Sequence, residues 1–207
     1  MSFSVPSQAD FLDFFDRELA PKLLSRAPTF RAVIAEIVKR PAPLIIETGC
    51  LRGTDCWAGD GHSTIVYDLL AQATGGHVLS IDLNSSAVAI ARSMVSDRVR
   101  VIHADSIQML SQLNVKADLL YLDSYDLDCD FPLPAASHQL SEYCAARRLI
   151  APDTIVFLDD TWKAQGRWCG KGMLLGQYLD NIDAEPVTEG VVQAAWRQCV
   201  ARVPSRL

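Results

Sequence analysis

Five short apolar runs, each separated from the next by a stretch of helical spacing, constrain this chain more than any other feature. Leu44 to Ile46, His77 to Asp82, Val99 to His103, Asp118 to Leu122 and Thr154 to Leu158 are all of strand length. Between them, Ser63 to Ala73, Ser86 to Ser96, Ser106 to Leu113 and His138 to Arg148 carry the helical pattern. Apolar runs alternating with helices suit a parallel sheet covered on both faces. The expected fold is α/β, a Rossmann-like doubly wound, mostly parallel sheet.

The two ends read differently. Phe11, Leu12, Phe14, Phe15, Leu19, Leu23 and Leu24 fall at helical spacing, with Pro21 expected to break the stretch in two. Phe30, Val33, Ile34, Ile37 and Val38 repeat the pattern until Pro41 and Pro43 stop it. An N-terminal helical cap over residues 1–40 is expected ahead of a core over 44–202. Gly172 to Leu179 is helical, and Pro186 to Arg202 predicts a C-terminal antiparallel strand pair around Glu189-Gly190. With no repeat or internal linker, the 207 residues are expected to form one domain.

A net charge of -6, with basic clusters no larger than Arg98–Arg100 and Arg147–Arg148, argues against a duplex nucleic-acid partner. No apolar run approaches the roughly 20 residues a bilayer needs, so no membrane partner is expected. Asp10, Asp13 and Asp16 interrupt the N-terminal pattern, unlike a signal peptide, and the default location is cytoplasmic. The six cysteines are scattered without a C-x-x-C pair, which favours reduced thiols over disulfides or zinc.

The candidate chemistry lies at the strand exits. Glu47-Thr48-Gly49-Cys50-Leu51-Arg52-Gly53 directly follows a strand, and glycine there lets the backbone pass close to a ligand. The string lacks the G-x-G-x-x-G spacing of a dinucleotide phosphate loop, which counts against an oxidoreductase. Asp82, beside Leu83, ends the next strand, where a carboxylate can accept hydrogen bonds from two ribose hydroxyls. Asp105-Ser106 ends the one after; Asp105 suits an adenine amine and equally suits the N-cap of a helix.

Glu47-Thr-Gly49, Asp82 and Asp105 at successive strand ends resemble the motifs of class I S-adenosylmethionine-dependent methyltransferases. The longer string from Glu47 to Thr64 is similar to a bacterial branch whose first loop ends in Trp-Ala-Gly-Asp-Gly-x-Ser-Thr. Tyr121-Leu-Asp-Ser-Tyr-Asp126, Leu158-Asp-Asp160 and Gly170-Lys-Gly172 resemble that branch too. The resemblance implies a cofactor site built from Glu47, Gly49, Gly53, Asp60, Gly61, Ser63, Thr64, Asp82, Leu83, Asp105, Ser106 and Asp123. Gly59, Asp60 and Gly61 would turn the chain into the Ser63 helix, with Ser63 or Thr64 near the carboxylate of S-adenosylmethionine. Trp57 reads as a packing residue rather than a lid.

Asp123, Asp159 and Asp160 stand at adjacent strand ends, an arrangement that is costly unless a cation neutralises it. It resembles the catechol-type metal-dependent O-methyltransferases and implies a divalent cation, Mg²⁺ or Ca²⁺, on these three residues. Where that family has a lysine base this chain has Asp126, with His138 as an alternative general base. Lys171 is expected either to bind an anionic substrate or to be solvated.

The expectation is therefore an S-adenosylmethionine-dependent methyltransferase acting on a small hydroxylated molecule, with a homodimer allowed. N-methylation of a peptide or amino sugar is one alternative, and a non-catalytic cofactor-binding partner subunit is another. The acceptor itself has no readable code in Leu127 to Ser137 or Thr161 to Cys169.

Overall fold

In a computed structural model, which describes residues 4–55, 57 and 61–200, the apolar runs become the strands of one sheet. β1 (Leu44–Thr48), β2 (His77–Asp82), β3 (Val99–His103), β4 (Leu119–Leu122) and β5 (Ile155–Leu158) pair in parallel. The last two sheet strands, β8 (Glu185–Glu189) and β9 (Ala194–Arg197), form an antiparallel pair joined to β5 through β9. The strand order is β3-β2-β1-β4-β5-β9-β8. Order reverses at β1, and the crevice at such a switch point is where open α/β sheets bind ligands.

Alternation along the strands divides the interior into two cores. Ile45, Leu119, Tyr121, Ile155 and Phe157 face one side with the buried residues of the N-terminal helices, α4 (Ser63–Thr74) and α5 (Ser85–Met94). Ile46, Leu120, Leu122, Val156 and Leu158 face the other side. There they meet α6 (Ser106–Gln112), α7 (Leu133–Ala145) and α8 (Leu175–Asn181). Both faces are dry, which is why these strands read as continuous apolar runs.

The N-terminal segment comprises α1 (Phe11–Phe14), a π-helical turn (Phe15–Leu19), α2 (Ala20–Leu23), a 3-10 turn (Leu24–Arg26) and α3 (Ala27–Ile37). The expected break at Pro21 does not occur. Pro21 sits in the first turn of α2, directly after the π-helical turn, and the chain turns instead at Leu24, whose φ is 50°. Similarly α7 begins at Leu133 rather than His138, because Pro134 occupies its first turn. An unexpected hairpin, β6 (Thr161–Ala164) with β7 (Arg167–Gly170), forms a separate two-stranded sheet after β5. Among the described residues no helix is long and apolar enough to cross a membrane.

Candidate active site

All five parallel strands end on the same edge, and the exits of β1 to β4 form a cavity of about 430 Å³. Gly49, Arg52, Asp82, Leu83, Asn84, Asp105, Ser106, Ser124, Tyr125, Asp126 and His138 line it. The ladder continues past the strand ends: Gly49 N donates to Ile81 O (2.9 Å), and Asp123 N donates to Thr48 O (3.1 Å). β1 and β4 therefore leave the sheet pressed together. A Cβ at Gly49, whose φ is 80°, would lie 2.6 Å from the Asp123 carbonyl oxygen, so only glycine fits.

Asp82 is partly exposed at the cavity wall, with Oδ2 accepting from Cys50 N (2.9 Å) and Oδ1 from Asn84 N (2.7 Å). Each oxygen keeps a second lone pair for a ligand hydroxyl. Leu83 is 68% exposed beside it, and Tyr125, 51% exposed at a φ of 64°, lines the same space. Two exposed apolar side chains beside the carboxylates of one cavity suit a flat ring with polar edges. Asp105 accepts from Gln108 N (2.8 Å) and caps α6, while also lining the cavity.

His138, half-buried, lies 3.4 Å from both Ser106 Oγ and Glu142 Oε1 and packs against Tyr125. The Glu142 hydrogen bond raises the imidazole pKa, against partial burial. This puts His138 in the cavity wall beside Asp105 and Ser106. Asp126 is exposed and ion-paired to Arg52 at 2.7 Å.

Glu47 and Thr64 are fully buried and do not line the cavity, a correction to their expected ligand contact. Glu47 accepts from Ser63 Oγ (2.5 Å), Thr64 Oγ1 (2.8 Å) and Ser80 Oγ (2.6 Å), while Thr64 Oγ1 accepts from Leu51 N (3.0 Å). The group ties β1, β2 and α4 together beneath the loop. Burial pushes the Glu47 carboxyl up to about 7, against the hydroxyl donors. Gly61 leaves no room for a Cβ against the Cys50 carbonyl, and Gly53 is half-buried outside the cavity lining. Gly59 and Asp60 lie outside the described residues.

Separate from that cavity, beside Asp123, is a much smaller space of about 20 Å³, room for roughly one water. Arg26, Phe30, Trp57, Gly61, Ser63, Asp123 and Asp159 are among its walls. The three acids expected to hold a metal do converge here, but on cations of the chain. Lys171 Nζ bonds Asp123 Oδ1 (2.9 Å) and Asp160 Oδ2 (3.1 Å). Arg26 bonds Asp159 Oδ1 (3.0 Å) and Asp160 Oδ1 (3.0 Å). Among the described residues no group of three or more acids, histidines or cysteines is arranged to hold an ion, so the donor set does not fit the expected divalent cation.

Lys171 is 2% exposed, not solvated. Burial opposes its charge, yet Asp123, Asp160 and Asp159 outweigh that and raise its pKa. Burial and then Asp159 push the Asp123 carboxyl well above the usual carboxylate range, with Lys171 acting against the shift. Sequence reasoning missed Arg26, which lies more than a hundred residues from its partners. The Tyr125 wall was within the Tyr121–Asp126 string but carried no sign of its direction.

The model of a methyltransferase domain family matches residues 57–161. Comparison with curated proteins gave no match. Among solved structures, an S-adenosylhomocysteine-bound methyltransferase from Podospora anserina superposes with a TM-score of 0.54 at 16% identity, over 95% of this chain and 90% of that one. The mycinamycin-pathway methyltransferase MycE, solved with Mg, S-adenosylhomocysteine and mycinamycin VI, gives 0.58 at 17% identity, over 95% of this chain and 57% of that one. A TDP-rhamnose 3'-O-methyltransferase of calicheamicin biosynthesis gives 0.55 at 14% identity, over 92% and 91%.

Proposed function

We propose that this chain, which belongs to the methyltransferase domain family, moves the methyl group of S-adenosylmethionine onto an oxygen of a small hydroxylated molecule. The observation that carries this reading is the cavity at the exits of β1 to β4, with Asp82 and Gly49 on its wall. Asp82 would hold the ribose hydroxyls, Leu83 and Tyr125 would flank the adenine, and Asp105 with Ser106 would meet its polar edge. His138, fixed by Glu142, would line the same end. The sulfonium of the cofactor supplies an already activated methyl group. The chain's part is then to align the acceptor and exclude water, which accounts for most of the rate of such a displacement.

Oxygen is favoured over nitrogen by the charges beside Asp123. A hydroxyl becomes a good nucleophile once it gives up its proton, and Arg26 and Lys171 nearby would favour the deprotonated form.

The test is calorimetry with S-adenosylhomocysteine. Asp82→Ala removes charge-assisted acceptors worth about 1.5–3 kcal/mol, so affinity should fall by roughly ten- to a hundredfold. Undiminished binding would place the cofactor elsewhere. Turnover of hydroxylated and amine acceptors, read as S-adenosylhomocysteine release, separates oxygen from nitrogen transfer.

A further inference from the structure

The carboxyl groups of Asp123, Asp159 and Asp160 form a cluster whose inner face is already filled. A hard divalent ion needs about six or more oxygens around one open point. Here the Lys171 ammonium bridges the exits of β4 and β5, from Asp123 Oδ1 at 2.9 Å to Asp160 Oδ2 at 3.1 Å. Arg26 closes the opposite side on Asp159 and Asp160.

The position of Lys171 is set by the backbone. β6 and β7 pair Thr161 with Gly170, so the hairpin returns the chain to where it left β5. Lys171 N then donates to the Asp160 carbonyl at 2.8 Å. Neither flanking glycine has room for a Cβ: at Gly170, with φ 68°, it would strike the Asp160 carbonyl, and at Gly172 the Thr161 side chain. The Gly-Lys-Gly string is thus the device that brings one buried cation to this place.

We propose that Lys171 is a positioning residue serving as the chain's own substitute for a divalent cation, bridging Asp123 and Asp160 so that Asp123 faces the methyl acceptor without a metal. Its placement stands apart from the cofactor assignment; its consequence for the acceptor rests on the methyl-transfer reading. Two cations against three carboxylates leave the cluster with one uncompensated negative charge. Removing the lysine leaves an excess of negative charge of the size one divalent ion would balance.

The experiment is Mn²⁺ titration followed by electron paramagnetic resonance of the free ion, on the wild-type chain, Lys171→Met and Lys171→Arg. The wild type and Lys171→Arg should bind no stoichiometric Mn²⁺ below about 1 mM. Lys171→Met, which keeps the stem and loses the charge, should bind one ion per chain at least about tenfold more tightly. Adding Asp160→Asn should abolish the gain. A stoichiometric wild-type site lost in Asp160→Asn would overturn the proposal, as would a folded Lys171→Met that gains no ion. Should Lys171→Met not fold, the wild-type titration and Lys171→Arg decide it alone. S-adenosylhomocysteine binding by the same samples reports separately on the cofactor reading, so either idea can fail without the other.

Discussion

Glu47 is a carboxyl group sealed from water, and its proton is coupled to folding. Its pKa rises from 4.5 in an open chain to about 7 in the fold, because burial outweighs three hydroxyl donors. An acid with a raised native pKa contributes stability that is complete below the unfolded value and lost as pH climbs through the folded one. For Glu47 that window runs from about 4.5 to about 7, and the loss is on the order of 3 kcal/mol. Glu47→Gln should flatten this part of the melting-temperature profile between pH 4.5 and 8; an unchanged slope would assign the titration to another group. The sequence put this acid at a strand exit but gave no sign of its direction. β1 sends Ile45 and Glu47 toward α4 and Ile46 to the opposite core, so Glu47 meets Ser63 and Thr64 instead of a ligand. Asp82 and Gly49 were legible because each ends its strand, where either face opens on the crevice.

Among the elements, the β6–β7 hairpin was missed although its code is present. Gln165 and Gly166 both have positive φ, 51° and 76°, as a two-residue hairpin turn of the I′ class requires. Glutamine in the place of the usual asparagine hid the signal. Gln165→Asn should relieve part of the left-handed strain, raising stability by about 0.5 kcal/mol and the melting temperature by roughly 1–2 °C. Differential scanning calorimetry checks it, and a lower melting temperature would contradict the turn assignment. The parallel strands were easier to read, since strands buried on both faces leave an apolar run with no competing interpretation. The N-terminal break was harder, because Leu24 turns the chain at a φ of 50° without a glycine to announce it.

Across the whole molecule, Arg26 ties the helical N-terminal segment to the exit of β5. Arg26 is 16% exposed and Asp159 4%, so the pair is largely shielded from solvent. Arg26→Ala should cost about 3 kcal/mol, lowering the melting temperature by on the order of 10 °C. Restoration of most of that loss by adding Asp159→Asn would show that the cost is a stranded charge, whereas two independent, additive losses would deny the coupling. The α/β layering was legible as a whole from the alternation of runs and helices. What it left open was how the last strands join, because hairpin signals do not say which neighbour accepts them. β9 lies between β5 and β8, although it follows both in sequence. Strands β1 to β5 can assemble outward as each becomes available, but β8 has no partner until β9 has docked on β5 or paired with it in advance. The sheet's final edge therefore depends on the strand that follows it in sequence: β8 reaches the sheet only through β9, and the one long-range closure this requires is β9 onto β5.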